Sequence, residues 1–330
     1  MGRRLDAITF GPGRRSRRMM RQLKQLDRHD AKLRAVGRDP LEEWHRTRDP
    51  RPATTLPVRT NASRQRGPAV LSVILAAAIT ALIVWHDHTR SSPGAGLNAA
   101  RPATLPPAGV GEHQDRIGDP APAPAGEGGY LFERTQPDGA APVTWDPCRA
   151  IHYVTSGTAP TGMTRVVSSV LAEVSRLTGF QFVNDGATSE QPSSHRAGYQ
   201  PDRYGARWAP VLIAWTTPSV VPALAGRTIG LGGADAVSWN SATRTYVSGI
   251  VYLDEPQFLT TLADIRGGGH SRAVLRAVVL HEVGHLLGLA HVTDRASIMF
   301  PETHLTVIDY SAGDRRGLQA LSEGSCAPNL

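Results

Sequence analysis

Eleven residues, 281–291, constrain this chain more than any other part of it. They read HEVGHLLGLAH and follow the apolar run AVLRAVVL, so the stretch continues a helix. His281 and His285 are four residues apart, which places both side chains on one face of a helix, about one turn apart. Two imidazoles in that arrangement can bind one Zn²⁺. The stretch therefore predicts a helix that carries a metal site.

The rest of the stretch supplies a third ligand and a base. Gly288 can adopt a positive φ, which ends the helix and turns the chain so that His291 returns toward the same metal. Three neutral ligands leave a fourth position open to water, which is typical of catalytic zinc sites. Glu282 points about 100° further round the helix, so it can reach that water without being a ligand. The alternative is three histidines that are satisfied within a core.

A methionine eight residues after His291 extends the pattern. Met299 lies within ASIMFP, and HExxHxxGxxH followed by such a methionine turn is the metzincin signature. The sequence resembles a matrixin-type metzincin, the group that contains the matrix metalloproteinases, over about residues 143–322. The segment SIMFP is close to the usual sequence of this turn in that family.

The resemblance implies both a fold and an activity. The implied α/β fold is a twisted, mostly parallel five-stranded sheet with an antiparallel edge strand and three helices. Residues 230–238 would be the edge strand and would pair with an extended peptide substrate. Zinc on the three histidines would activate a water molecule, Glu282 would be the general base, and Met299 would form an apolar floor. Residues 301–304 are expected to line the specificity pocket.

Several positions depart from the family pattern. Val292 stands where matrixins often have serine, and Pro301 stands where other metzincins have a tyrosine. Cys148 lies in WDPCRAI, which does not match the latency motif, so no cysteine switch is expected. The histidines of the structural zinc site have no clear counterparts. A structural Ca²⁺ involving Asp254 and Glu255 is possible, but solvation at the surface is the expected role of these residues.

From residue 142 onward the periodicity indicates a mixed α/β domain. Residues 162–177 carry the apolar stripe of an amphipathic helix, and Gly179 can end that helix. Ser271 can cap a helix that runs to about Leu287. The predicted strands are residues 150–155, 180–183, 211–215, 230–238 and 248–254, and a last short helix is predicted at residues 314–321.

Charge divides the chain into unlike parts. Residues 1–66 hold 18 Lys or Arg against 7 Asp or Glu, whereas residues 86–330 hold 18 against 22. The formal charge of +7 therefore comes from a basic tail, residues 1–68. A charge argument for nucleic-acid binding would apply to the tail alone, and no nucleic-acid partner is expected. The alternative for the tail is a solvated, partly helical arm without a specific partner.

An uncharged run, residues 69–85, follows the tail and reads AVLSVILAAAITALIVW. As a helix it would span about 25 Å, the short end of a membrane span. A cleaved signal peptide would begin near the first residue, so a transmembrane helix is predicted, with a buried core helix as the alternative. The positive-inside rule then keeps the tail in the cytoplasm and places residues 86–330 outside the cell membrane.

A segment poor in large apolar residues joins this helix to the domain. Residues 91–129 contain 23 Gly, Ala or Pro among 39, a composition that predicts an extended linker over residues 86–141. The domain is then residues 142–330. Cys148 and Cys326 bracket it, and a disulfide between them is permitted outside the membrane. Free thiols or a metal role are the alternatives.

These observations predict a membrane-anchored, extracytoplasmic zinc endopeptidase that acts on peptides or proteins. Its site would consist of His281, His285, His291 and Glu282. The alternative is a zinc-stabilised extracytoplasmic binding module without turnover, which would share the three ligands. An intact glutamate beside them argues against a mere binder, because a binder has no use for a base there.

Overall fold

The computed structural model describes residues 104–139, 141–238, 243–264, 269–303 and 306–330. The predicted basic tail and the predicted transmembrane helix, residues 69–85, lie outside these ranges. Within them, no helix combines the length and the apolar character that crossing a membrane requires.

A six-stranded sheet forms the centre of the domain. Its order is β1-β6-β4-β2-β3, and β5 pairs with β6 alone. All these neighbours are parallel except β5, which runs antiparallel to β6. The strands are β1 Thr144–Trp145, β2 Ile151–Ser156, β3 Phe182–Ala187, β4 Val211–Thr216, β5 Gly230–Val237 and β6 Thr245–Asp254. The predicted mixed α/β fold with a mostly parallel sheet and an antiparallel edge strand is confirmed.

Strand β4 shows why the sheet is built this way. It reads VLIAWT and is buried at every position, as expected for a parallel strand covered on both faces. On one face, Leu212 and Ala214 lie in an apolar cluster with Val221, Leu224 and Tyr252. Because both faces are covered, a continuous apolar run forms a strand here without polar alternation.

Among the described residues, five α-helices accompany the sheet. They are α1 Met163–Thr178, α2 Pro201–Tyr204, α3 Glu255–Asp264, α4 Gly269–Leu287 and α5 Ala312–Ser322. Helix α1 buries an apolar stripe, as predicted, and ends at Gly179 in the left-handed region. Helix α4 is buried on nearly all sides from Ala273 to Leu287, because it packs against β5, β6, α1, α3 and α5. A helix that is apolar all round requires such cover.

Some predictions were wrong in detail. The sheet has six strands and not five, since the two-residue β1 adds to it, and α2 and α3 exceed the predicted three helices. Ser271 is not the cap of α4, because the helix begins at Gly269 and Ser271 is buried inside it. The cap of α5 is Ser311, which forms a capping box with Asp314.

The connection between β3 and β4 is fixed by a buried ion pair. Arg196 donates to both carboxylate oxygens of Glu190, at 2.8 and 3.0 Å. Glu190 also accepts from Gln200 and Tyr204, at 2.7 and 2.6 Å. The same Arg196 donates to Ser248 Oγ of β6 at 2.8 Å. One arginine thus holds a long connection against the sheet.

Residues 104–133, here called the N-terminal strap, pack along the domain with little regular structure. Arg116 donates to the Ser322 carbonyl oxygen at 2.6 Å, and the Ala121 N–H donates to the Arg176 carbonyl oxygen at 3.1 Å. Glu112 forms an ion pair with Arg149 at 2.8 Å. An extended linker was predicted across residues 86–141, and this described part of it is bound to the domain by specific polar contacts.

A disulfide joins Cys148, just after β1, to Cys326, just after α5, with the Cα atoms 5.3 Å apart. It closes a loop with a sequence separation of 178. The bond ties the beginning of the domain to its C-terminal end.

Candidate metal centre

Three imidazole nitrogens converge at the end of helix α4. The Nε2 atoms of His281, His285 and His291 lie 3.1 Å from one another in all three pairings. His281 and His285 share a face of the helix, and Gly288 at φ 115° ends it so that His291 can return. The structure brings together the three histidines that the spacing had singled out.

The far side of two rings fixes their protonation. His281 Nδ1 lies 2.7 Å from the Ile298 carbonyl oxygen, and His285 Nδ1 lies 2.8 Å from that of Leu289. A carbonyl oxygen can only accept a hydrogen bond, so each Nδ1 carries the proton. In the neutral form of each ring the Nε2 atom is therefore bare and free to bind a metal ion.

The surroundings favour neutral imidazoles at two of the three positions. Burial, together with the nearby His285, lowers the pKa of His281 to about 3 and that of His291 to about 4. The pKa of His285 is raised: burial acts to lower it, but the hydrogen bond to Glu133 and the charges of Glu282 and Glu133 outweigh that effect. Neutral imidazole is the form that binds metal ions.

The donor set fits a divalent cation such as Zn²⁺. Nitrogens bonded to one tetrahedral zinc at about 2.0–2.1 Å lie roughly 3.3 Å apart, close to the separations of 3.1 Å seen here. Bare lone pairs at that distance repel one another unless a cation lies between them. His285 is buried, His281 is partly buried and His291 is exposed, so the cluster opens toward solvent on the His291 side.

Glu282 lies beside this cluster on helix α4, and its side chain packs against edge strand β5. It is only 6% exposed. Burial raises its pKa to about 7, although the charge of His285 and a hydrogen bond from the Gly232 amide act to lower it. A carboxyl with a pKa near neutrality can both accept and release a proton under ordinary conditions.

Two glycines of β5 make this close approach possible. A Cβ on Gly230 would lie 2.6 Å from Glu282 Cγ, and one on Gly232 would lie 2.0 Å from the Glu282 carbonyl oxygen. Any side chain at Gly232 would therefore meet the backbone of the helix. The glycines let the edge strand lie directly against the helix turn that carries Glu282.

Met299 packs against helix α4 at Gly284, the residue before His285. It is buried, and its Sδ occupies the space that a side chain on Gly284 would need, 2.6 Å from such a Cβ. The Val292 N–H donates to the Met299 carbonyl oxygen at 3.0 Å, which couples this turn to the chain just after His291. An apolar floor beneath the imidazoles remains the predicted role for Met299.

A buried carboxylate of helix α5 holds the turn in place. Asp314 accepts hydrogen bonds from the Ser297 hydroxyl at 2.5 Å, the Ile298 N–H at 3.0 Å and the Ser311 N–H at 2.8 Å. Ile298 is the residue whose carbonyl orients His281. Asp314 therefore supports His281 indirectly, through the backbone of Ile298.

Asp314, Glu133 and the two glycines of β5 were not singled out from the sequence. SAGD at residues 311–314 is a recognisable capping-box pattern that would have located Asp314. The sequence around Glu133 does not indicate a role at the site, because this residue follows a Gly- and Pro-rich stretch. Only the tertiary structure brings it into contact with His285.

Other candidate metal ligands are otherwise engaged. Asp254 is buried, contrary to the expected surface solvation, and accepts from the N–H and the side-chain amide of Gln257 at 3.1 and 2.7 Å. It therefore stabilises the start of α3. Asp146, Cys148 and Cys326 lie close together, but both sulfur atoms are in the disulfide.

Residues 230–322 match the matrixin family model, peptidase family M10. This segment contains β5, α4, the three histidines and Met299, and over it the chain is similar to the matrixins. The resemblance seen in the sequence is confirmed there, and it indicates a zinc metallopeptidase in general terms.

Among solved structures, the chain is similar to archaemetzincin (amzA) from Methanopyrus kandleri. The match has 15% sequence identity and a TM-score of 0.31, and it covers 52% of this chain and 93% of the other. Agreement at this level carries no argument about the site.

Proposed function

We propose that this protein is a zinc-dependent endopeptidase. The observation that carries the proposal is the convergence of three Nε2 atoms, each 3.1 Å from the other two, next to the buried carboxylate of Glu282. His281, His285 and His291 would hold the ion. When bound, zinc activates a water molecule and polarises the scissile carbonyl.

Glu282 supplies the proton transfers. Its carboxylate accepts the proton of the attacking water and then delivers it to the leaving amine. Burial between α4 and β5 holds the side chain still, and its raised pKa suits a group that alternates between both forms. The Gly232 amide, which hydrogen-bonds to the carboxylate, orients it.

The edge of the sheet supports an action within peptide chains. Strand β5 pairs with β6 on one side, and no described strand pairs with its other side. An extended peptide can add to such an edge through backbone hydrogen bonds. A peptide bound in this way continues past the site in both directions, as an endopeptidase requires.

The main test is substitution of the base. Glu282→Ala should lower the rate of peptide cleavage at least about 100-fold and leave one zinc per chain, measured by metal analysis of the purified protein. Glu323→Gln, an exposed glutamate at the end of α5, should retain full activity. A Glu282→Ala variant that still cleaves like the wild type would exclude Glu282 as the base.

The same assay separates an enzyme from a binding module. The wild-type protein should cleave a quenched peptide library, and a chelator should stop the cleavage until zinc is restored. A folded, zinc-loaded protein that cleaves no member of the library would favour the binding module.

We further propose that the domain is extracytoplasmic and anchored by residues 69–85. The uncharged run and the excess of Lys and Arg before it support this topology. The disulfide also supports it, because disulfides form and persist in oxidising compartments. Protease added to intact cells from which any outer layer has been removed should digest an epitope at the C-terminus and spare one at the N-terminus. Equal protection of both epitopes would contradict the proposal.

A further inference from the structure

A carboxylate from outside the matrixin-like segment reaches one of the three imidazoles. Glu133 Oε1 lies 3.0 Å from Nδ1 of His285. Glu133 is the last residue of the N-terminal strap, well upstream of residues 230–322. Nδ1 of His285 thus lies within hydrogen-bond distance of both the Leu289 carbonyl oxygen, at 2.8 Å, and a charged acceptor.

The backbone holds Glu133 in register with the turn after helix α4. The Glu133 N–H donates to the Gly288 carbonyl oxygen at 2.8 Å, and the Ala290 N–H donates to the Leu131 carbonyl oxygen at 2.8 Å. Phe132 and Leu289 form an antiparallel bridge between these two bonds. The strap therefore pairs with the turn that brings the third histidine back to the cluster.

Helix α5 fixes the strap a few residues earlier. The Arg316 guanidinium donates to the carbonyl oxygens of Gly126, at 2.8 Å, and Gly128. Gly313 lets the two backbones approach, because a Cβ there would lie 2.7 Å from the Gly129 carbonyl oxygen. Anchors on both sides of Tyr130 leave Glu133 little freedom, even though its side chain is 33% exposed.

We propose that Glu133 is a positioning residue of the metal centre. Its carboxylate accepts from His285 Nδ1–H, reinforces the tautomer and the ring rotation that the Leu289 carbonyl oxygen sets, and so strengthens the binding of a divalent cation at Nε2. A carboxylate on the far nitrogen makes an imidazole a stronger ligand. His281 has a neutral carbonyl, that of Ile298, at the same position. The inference rests on the metal site proposed above.

The test compares metal binding by full-length variants in the absence of substrate. Glu133→Ala should bind Co²⁺ and Zn²⁺ about 10- to 100-fold more weakly than the wild type, measured by competition with a chelator. Glu133→Gln should be intermediate, because an amide oxygen accepts a hydrogen bond without carrying charge. Glu127→Ala is the matched control, an exposed glutamate of the same strap, and should leave the affinity unchanged.

A spectrum separates positioning from mere structural support. The visible absorption of bound Co²⁺ should shift in Glu133→Ala and stay fixed in Glu127→Ala, because it reports the orientation and donor strength of the ligands. If Glu133→Ala fails to fold, Glu133→Gln carries the same comparison. A lower unfolding temperature with unchanged affinity and spectrum would overturn the inference alone. A folded wild type that binds neither ion would overturn the proposed function as well.

Discussion

At the scale of single residues, Asp314 connects three parts of the molecule. It caps helix α5 through Ser311, holds the methionine turn through Ser297 and Ile298, and is almost fully buried. A buried carboxylate is stable only when its oxygens are satisfied. Here every partner of Asp314 is part of the support for His281 or the start of the helix.

Asp314→Asn should therefore weaken both the fold and the metal centre. The loss of charge-assisted hydrogen bonds should lower the free energy of unfolding by about 1.5–3 kcal/mol, measured by denaturant titration of the metal-free protein. The affinity for Zn²⁺ should also fall, because the Ile298 carbonyl orients His281. Asp115→Asn, at an exposed position of the strap, should change neither quantity.

Glu190 gives the stability a defined dependence on pH. Burial acts to raise its pKa, but hydrogen bonds from Arg196, Tyr204 and Gln200 outweigh burial and lower it. A carboxyl with a lowered pKa in the folded state contributes stability that is complete above its unfolded pKa, near 4.5. That stability disappears as the pH falls through the lower, folded pKa.

Glu190→Gln should lower the free energy of unfolding by about 3 kcal/mol at pH 7, because it leaves buried Arg196 unpaired. The difference from the wild type should shrink as the pH falls below about 4.5, because the carboxyl is protonated first in the unfolded chain and, at lower pH, in the folded protein. Unfolding titrations at a series of pH values measure this, with Asp202→Asn, an exposed residue of the same connection, as the control. A difference that is constant with pH would show that charge is not the cause.

At the scale of elements, glycines determine how closely strand β5 packs against helix α4. Gly230 and Gly232 face Glu282, whereas a Cβ on Gly233 would meet nothing within 4 Å. The alternation follows from the period of two in a strand. One face of β5 is therefore committed to the helix, and the other tolerates a side chain.

Matched alanine substitutions should separate these positions. Gly232→Ala should disrupt the packing of β5 on α4 and lower the free energy of unfolding by about 1–3 kcal/mol. Gly230→Ala should reduce peptide cleavage more than stability, because its Cβ displaces the Glu282 side chain. Gly233→Ala should behave like the wild type. Equal effects of Gly232→Ala and Gly233→Ala in thermal unfolding and peptide cleavage would contradict the packing argument.

The elements show which parts of the structure local sequence can predict. The spacing of His281, Glu282 and His285, and the glycine that returns His291, encode the cluster within eleven residues. The apolar runs of β4 and β6 and the stripe of α1 are also local signals. Glu133 and the Glu190–Arg196 pair are not, since their roles come from long-range contacts that neither periodicity nor composition records. The short α2 lies below the length at which periodicity can be recognised.

At the scale of the whole molecule, the disulfide and the strap tie the ends of the domain to its centre. Replacing Cys148 and Cys326 by serine should lower the free energy of unfolding by up to about 5 kcal/mol, since the closed loop is long. The measurement is denaturant unfolding of the metal-free double variant against the wild type, with the reduced wild type as a second comparison. Equal stability of all three would show that packing alone secures the C-terminal end.

The position of the disulfide also determines what a nicked molecule would look like. A peptide bond broken anywhere between Cys148 and Cys326 leaves two fragments that remain covalently joined. Self-digestion within that span would be invisible on a non-reducing gel and would appear only after a thiol is added. The exposed residues 225–227, before β5, and 293–296, before Met299, fall inside this span. Such damage could therefore accumulate in a preparation that still migrates as a single intact chain.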